Sequence, residues 1–320
     1  EIYTYMLQKK TEASISKASI VPEIQIIDEA IVEASRKTGP NMIINMAIGL
    51  MGGGIIPFLI ITLMIIFNNK IETIQEVEKA SKIPVLEGIM KHKFKALLPV
   101  IQHPRSGIAE SFRGLKTNIN TLVENSGSKV VSINSLIPGE GKSFISANLA
   151  AVLSKTNKKV LLVGADLHKP TLHEFLNVKE SFGLRDFLND NKTLDEIISE
   201  TSITNLFFVQ TGNNHENPSD LLDGIKFEKL IEHTRKLFDY IVIDNAPLLL
   251  IPDAILTSGF ADISLFILRI NYSHKNQIKQ INKVVDFNKI EQSAIVMKDT
   301  AESGYGYGYG YRKKYWKKGY

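Results

Sequence analysis

An uncharged stretch of 26 residues, MIINMAIGLMGGGIIPFLIITLMIIF at 42–67, constrains this chain more than any other feature. As a helix it would be about 39 Å long, against a bilayer hydrocarbon core of roughly 30 Å. A buried helix of a globular domain seldom stays apolar for so long, and a secretory signal would be shorter and lie at the very start. The run predicts one transmembrane helix over 42–67. Gly49 and Gly53 form a G-x-x-x-G, readable as a packing face or as the small residues common in such helices. Pro57 is tolerated there with a kink. Lys70, Lys79 and Lys82 follow the run while Arg36 and Lys37 precede it, so charge orients it only weakly.

The remainder divides around that helix. The chain begins at Glu1 rather than Met, and a missing N-terminal part is expected. Residues 1–41 are polar with scattered Ile and Leu, expected to be helical and extracytoplasmic. Residues 68–104 read as a juxtamembrane linker with one short helix and a Pro-bounded turn. A globular domain is expected over 105–300, and 301–320 as a flexible tail. With no cysteine there is no disulfide framework or Cys-based zinc site, and a net charge of +4 gives no argument for nucleic acid.

Within the domain, apolar runs alternate with amphipathic ones. KVVSINS (129–135), KVLLVGA (159–165), NLFFVQTG (205–212), DYIVIDNAP (239–247), DISLFILRI (262–270) and SAIVM (293–297) read as strands. SFISANLAAVLSKT (143–156) and FEKLIEHTRKLF (227–238) read as helices between them. Uninterrupted apolar strands separated by helices mean a parallel sheet covered on both faces. The fold class is α/β, a doubly wound parallel sheet, with its ligand beyond the carboxyl ends of the strands.

The loop after the first strand, SLIPGEGKSF (135–144), has the composition of a phosphate-binding loop. Gly139 and Gly141 let the backbone wrap closely around phosphate, Lys142 can reach the β- and γ-phosphates, and the Ser143 hydroxyl can ligate Mg²⁺. Pro138, Gly139, Glu140, Gly141, Lys142, Ser143 and Phe144 form the candidate nucleotide-binding set. The strict G-x-x-x-x-G-K-[ST] pattern fails at its first glycine, where Leu136 stands, but the strand–loop–helix context is right. Asp166 closes VLLVGAD and Asp244 closes YIVID, and carboxylates at such strand ends hold Mg²⁺ beside a phosphate loop. A lone Asp there would more often cap a turn; two in register with the loop read as metal ligands with Ser143.

The chain ends in GYGYGYGYRKKYWKKGY (304–320), with Tyr305, Tyr307, Tyr309, Tyr311, Tyr315 and Tyr320 among five basic residues. By itself such a tail is low-complexity or a basic arm for nucleic acid or lipid.

These motifs taken in order resemble the bacterial tyrosine kinases, membrane-anchored enzymes that accompany capsule and exopolysaccharide synthesis. SLIPGEGKSFISANLA resembles the family's Walker A, VLLVGADLHKP its A-prime motif and YIVIDNAPLLLIPDA its Walker B. ESFRGLKTNI (110–119) resembles its E-x-x-R-x-x-[RK] helix, with Glu110, Arg113 and Lys116. NPSDLL (217–222) and the terminal tyrosines match as well. Three positions depart from the pattern: Gly164 stands where A-prime usually has its first Asp, His168 where it has Arg, and Lys298 where related ATPases often have an adenine-reading Asn.

The resemblance implies an ATP- and Mg²⁺-dependent protein tyrosine kinase that phosphorylates its own tail tyrosines in trans within a homo-oligomeric ring. Lys142, Asp166 and Asp244 would be catalytic, with Asp166 accepting the phenol proton, and Glu110, Arg113 and Lys116 would lie at the ring contact. It further implies the bacterial inner membrane with the kinase in the cytoplasm, and a missing extracytoplasmic part with another transmembrane helix. Implied partners are polysaccharide polymerisation and export machinery, a cognate tyrosine phosphatase and membrane lipid, with no nucleic acid. Two other functions share these residues: a partitioning- or positioning-type ATPase switch, and a chain-length regulator whose nucleotide domain has decayed. Phosphotyrosine on the tail separates the first, and ATP turnover the second.

Overall fold

The computed structural model describes residues 1–19, 39, 41–123, 128–212, 225–250 and 252–301. The chain divides into two units, Glu1–Phe67 and Asn68–Tyr320. The first contains helix α1 (Ile2–Ala18) and helix α2 (Met42–Phe67). The α2 boundaries coincide with the uncharged run, and Pro57 sits inside the helix. It is long and apolar enough to cross a membrane, and no part of its most apolar window is buried. Nothing lies within 4 Å of the Cβ positions of Gly49 or Gly53, so no described residue uses the G-x-x-x-G as a packing face.

The second unit opens with helix α3 (Ile74–Ala80), strand β1 (Val85–Met90) and a short helix α4 (Pro99–Gln102). Then follow α5 (Gly107–Leu122), β2 (Lys129–Ser135), α6 (Lys142–Ser154), β3 (Val160–Gly164), α7 (Leu172–Leu176), α8 (Leu184–Leu188) and α9 (Leu194–Ile197). Strands β4 (Ile198–Glu200) and β5 (Leu206–Val209), α10 (Ile225–Leu237), β6 (Tyr240–Asp244) and a 3-10 helix (Pro252–Phe260) lead to β7 (Ile263–Arg269), α11 (Lys275–Asn288) and β8 (Ser293–Thr300). The eight strands form one sheet in the order β1-β8-β7-β2-β6-β3-β5-β4. Every described pairing is parallel except β4 with β5.

Burial on both faces explains the unbroken apolar strands. On one side Val131, Ile133 and Val242 meet Phe112 and Leu115 of α5 and Leu149 of α6. On the other, Val130, Ile241 and Ile243 meet Leu230 and Ile231 of α10, and Phe266 and Leu268 meet Ile278 and Ile281 of α11.

The structure differs from the sequence reading at both sheet edges. Residues 68–104, expected as a linker ahead of a domain starting at 105, belong to the second unit. Strand β1 pairs with β8, and α3 buries Val77 completely. Glu87 and Gly88 break the apolar run of β1, and its edge position buries only Ile89 fully, so the strand lacks the signature of a central one. Strand β4 has three residues and no apolar run, and hydrogen bonding to β5 alone makes it a strand.

Candidate active site

At the end of β2 the chain turns through Leu136–Gly141 into α6. Gly139 (φ +85°) and Gly141 (φ +94°) adopt left-handed backbone, which glycine enters without steric cost. Side chains also close over them: a Cβ on Gly139 would strike the Tyr272 hydroxyl, and one on Gly141 the Lys298 stem. The loop amides thus have little freedom.

Glu140 sits in the middle of this loop. Its carboxylate has no exposed surface and turns inward. Oε2 accepts the backbone N–H groups of Leu136 (2.9 Å) and Ile137 (3.1 Å), while Oε1 accepts Gln277 Nε2 (3.0 Å) and the Ser273 hydroxyl. Burial pushes its pKa above the usual carboxylate range, and these hydrogen bonds hold it back. Glu140 therefore staples the loop to itself and to the start of α11. All four partners donate, and an amide offers only one acceptor oxygen. Glu140→Gln is expected to lower stability by about 1–3 kcal/mol. Calorimetry should then read a fall in Tm of about 2–12 °C.

Lys142 opens α6 with its side chain buried. Its Nζ lies 2.9 Å from Asp244 Oδ1 and 3.5 Å from Asp166 Oδ2, the three side chains being 6%, 2% and 10% exposed. Ser146 donates to the same Asp244 oxygen at 3.0 Å. Parallel pairing of β3 with β6 sets Gly164 opposite Asp244, which brings Asp166 to the lysine two residues later. The backbone N–H groups of His168 (3.3 Å) and Lys169 (3.0 Å) fix Asp166 through Oδ1 and leave Oδ2 toward the lysine. Ser143 stands half-buried in the first turn of α6. Phe144 is occupied by packing, its ring 5.3 Å from His92 and 6.0 Å from Phe112.

A cavity of about 30 Å³ lies among Gly164, Asp166, Thr211 and Asp244. It has room for an ion or a water or two. Among the described residues, no three or more His, Cys, Asp or Glu are grouped so that they could hold a metal ion by themselves. Two carboxylates and a hydroxyl fit Mg²⁺, which keeps several waters and shares phosphate oxygens rather than entering an all-protein cage. The glycine loop, the α6 N-terminus and Lys142 fit a triphosphate.

The sequence reading missed the clamp on the loop's outer face. Arg269 donates to the Gly139 carbonyl at 3.0 Å and to Asp299 at 2.6 Å, and its guanidinium lies 5.2 Å from the centre of the Tyr272 ring. Tyr272 donates to the Pro138 carbonyl at 2.8 Å. The available signal was a charged residue closing the apolar strand DISLFILR at the ligand-facing end. Lys298 pairs with Asp299 at 2.7 Å and stands 5.4 Å from the centre of the Phe144 ring. Burial pushes its ammonium down, against the raising influence of Asp299. Asn245, beside Asp244, donates to Ser132 (2.8 Å) and Asn134 (2.9 Å) and accepts from Thr257 at 2.6 Å. This buried network ties the 3-10 helix to the sheet beneath the site.

Of the candidate contact residues, Glu110 and Arg113 pair with each other one turn apart on α5, and Arg113 also donates to the Pro104 carbonyl. Lys116 is half-buried. The NPSDLL motif (217–222) and Tyr305, Tyr307, Tyr309, Tyr311, Tyr315 and Tyr320 lie outside the described residues.

Comparison with known proteins gives two family matches. An AAA domain covers residues 128–296. A G-rich domain carried on tyrosine kinases covers residues 1–64. The tyrosine-protein kinase ptk of Acinetobacter johnsonii is 29% identical over 307 residues, 92% of this chain and 41% of the relative. The tyrosine-protein kinase wzc of Salmonella typhimurium is 28% identical over 317 residues, 93% of this chain and 43% of the relative. The chain thus spans less than half the length of these curated relatives. The crystal structure of the chimerical protein CapA2B2 matches with a TM-score of 0.66 and 28% identity, covering 72% of this chain and all of that one.

Proposed function

Since the chain belongs to the bacterial tyrosine kinases, with their AAA domain at 128–296, we propose that it is a membrane-anchored, ATP-dependent protein tyrosine kinase. It phosphorylates the C-terminal tyrosine cluster of a neighbouring copy and so regulates capsule or exopolysaccharide synthesis and export. Residues 1–41 are the end of an extracytoplasmic domain, 42–67 anchor the chain in the inner membrane, and the catalytic unit lies in the cytoplasm. Glu110, Arg113 and Lys116 contribute to a homo-oligomeric ring; polysaccharide machinery, a tyrosine phosphatase and lipid are the other partners.

One observation carries this reading: a buried lysine at a glycine loop held between two strand-end carboxylates. Phosphoryl transfer asks for positioned charge more than covalent chemistry. Lys142 and the loop amides hold the triphosphate. Drawing Lys142 toward phosphate frees Asp244 for a cation and Asp166 for the phenol, so one side chain couples nucleotide binding to the rest of the site. Ser143 and Asp244 would hold Mg²⁺, which when bound would neutralise the charge that develops on the phosphates. Asp166 orients the tyrosine hydroxyl and takes its proton as the phenolic oxygen bonds to the γ-phosphorus. The bond to the bridging β–γ oxygen breaks and ADP departs.

The test is mass spectrometry of the tail after incubation with ATP and Mg²⁺. Phosphate on several of the six tyrosines is expected. An Asp166→Asn copy should also be labelled when mixed with an active copy lacking residues 302–320. Nucleotide hydrolysis without phosphotyrosine would sink the kinase reading in favour of an ATPase switch.

A further inference from the structure

The sheet edge where β1 meets β8 carries a cleft of about 480 Å³. That is the size of pockets that take drug-sized or aromatic groups. Ile74, Leu86 and Ile270 supply apolar lining, and Glu72, Glu78 and Glu87 supply carboxylates. None of these three carboxylates has a Lys, Arg or His at ion-pair distance among the described residues; Glu87 is held by Asn118 at 3.1 Å and Glu72 by Asn68. Glu78 has no hydrogen-bond partner among them either. Burial pushes the Glu78 and Glu87 carboxyls up from their ordinary range. Lys91 and Asp299 line the cleft as well, Asp299 being paired with Arg269 and Lys298, so the three glutamates outnumber the one lysine. An apolar recess with such an acidic excess suits a segment that is both aromatic and cationic.

Such a segment begins at the cleft itself. Ala301 lines it and is the last described residue. Beyond it, residues 302–320 hold six tyrosines, Trp316, and Arg312, Lys313, Lys314, Lys317 and Lys318 against the single acid Glu302. Four extended residues reach about 13 Å, enough for Tyr305 to turn back onto the recess that Ala301 lines. Looping back from further along the tail costs little more, because closure entropy grows only logarithmically with length.

We propose that this cleft docks the chain's own tyrosine-rich tail, with aromatic rings in the recess and the basic run against Glu72, Glu78 and Glu87. Docking holds the phenols away from the Lys142–Asp166–Asp244 cluster. Phosphates on the tail would be repelled by the same carboxylates, so each modification disfavours return. That consequence rests on the kinase reading, whereas the docking does not.

Trp316 is the only tryptophan in the chain, so its fluorescence reports the tail alone. The experiment uses the whole chain in detergent micelles without nucleotide, with a peptide of residues 302–320 as reference. Acrylamide should quench Trp316 less in the chain than in the peptide, and added salt should narrow the difference. The shielding should survive a hundredfold dilution, since the contact is within one chain. Glu78→Lys on the cleft should lower the docked fraction about two- to fivefold, and Lys313→Glu with Lys314→Glu on the tail should do the same. The tail variant leaves the folded unit untouched, so it guards against a misfolded cleft variant. Quenching equal to the peptide's would overturn the proposal. So would shielding that ignores both charge reversals, or shielding that vanishes on dilution. None of these readouts needs ATP, so failure here and failure of the kinase reading stay distinguishable.

Discussion

Lys142→Met is expected to reduce tail phosphorylation by about 10²–10³-fold or more, the scale lost with one preorganised group that stabilises charge developing in a transition state. It should also destabilise the protein. Lys142 is buried against two carboxylates, so removing it leaves Asp244 with only the Ser146 hydroxyl among the described side chains. Breaking a buried pair in this way costs about 3–5 kcal/mol, or about 6–20 °C in Tm. Lys142→Arg separates the two effects. It keeps a cation between the carboxylates and should recover much of the Tm, but its planar fork cannot reproduce the ammonium's approach to phosphate, so activity should stay low. Calorimetry beside a phosphotyrosine assay checks both. A Met variant with wild-type labelling would mean that the active site lies elsewhere.

Asp166→Asn should lower kcat by about 10²–10⁴-fold while leaving nucleotide affinity and Tm close to wild type. The reason is local. Oδ1 of Asp166 accepts two backbone N–H groups in its own turn, and an asparagine oxygen makes the same turn. Oδ2, facing Lys142 at 3.5 Å, is the atom whose basicity is lost. Gly164 provides no second carboxylate in that motif, so no neighbour substitutes for it. Rapid-quench measurement of phosphate transfer with separately measured ATP binding checks the split. Unchanged turnover would remove Asp166 from the chemistry, and a matching loss in ATP affinity would make it a metal ligand rather than a base.

Much of the site was legible because its signals are short-range. Gly139, Gly141 and Lys142 fall within four residues, and a hydrophobic run closing on Asp announces itself at 166 and 244. Glu140 shows where local reading stops. Within the loop motif it looked like one more phosphate-side position, yet its partners Ser273 and Gln277 come from the start of α11, more than 130 residues away. Arg269, Tyr272 and Lys298 were likewise invisible as loop residues, since each reaches the loop only once β7 and β8 lie beside β2.

The sequence by itself determined the helix at 42–67, because an uncharged run of that length has no other comfortable solvent. It also determined the central strands β2, β3, β6 and β7, because burial on both faces leaves no polar alternation. Only the tertiary structure decided that residues 68–104 join the domain, that β1 and β4 are strands, and that Lys142 is a buried ion rather than a free point charge. The physical reason is the same in each case. A central strand or a membrane helix is specified by the solvent its own residues require, which is written locally. An edge strand, a loop clamp or a lysine between two carboxylates is specified by partners that can lie 210 positions away, as Val85 and Ile295 do, and strand order alone brings those partners together.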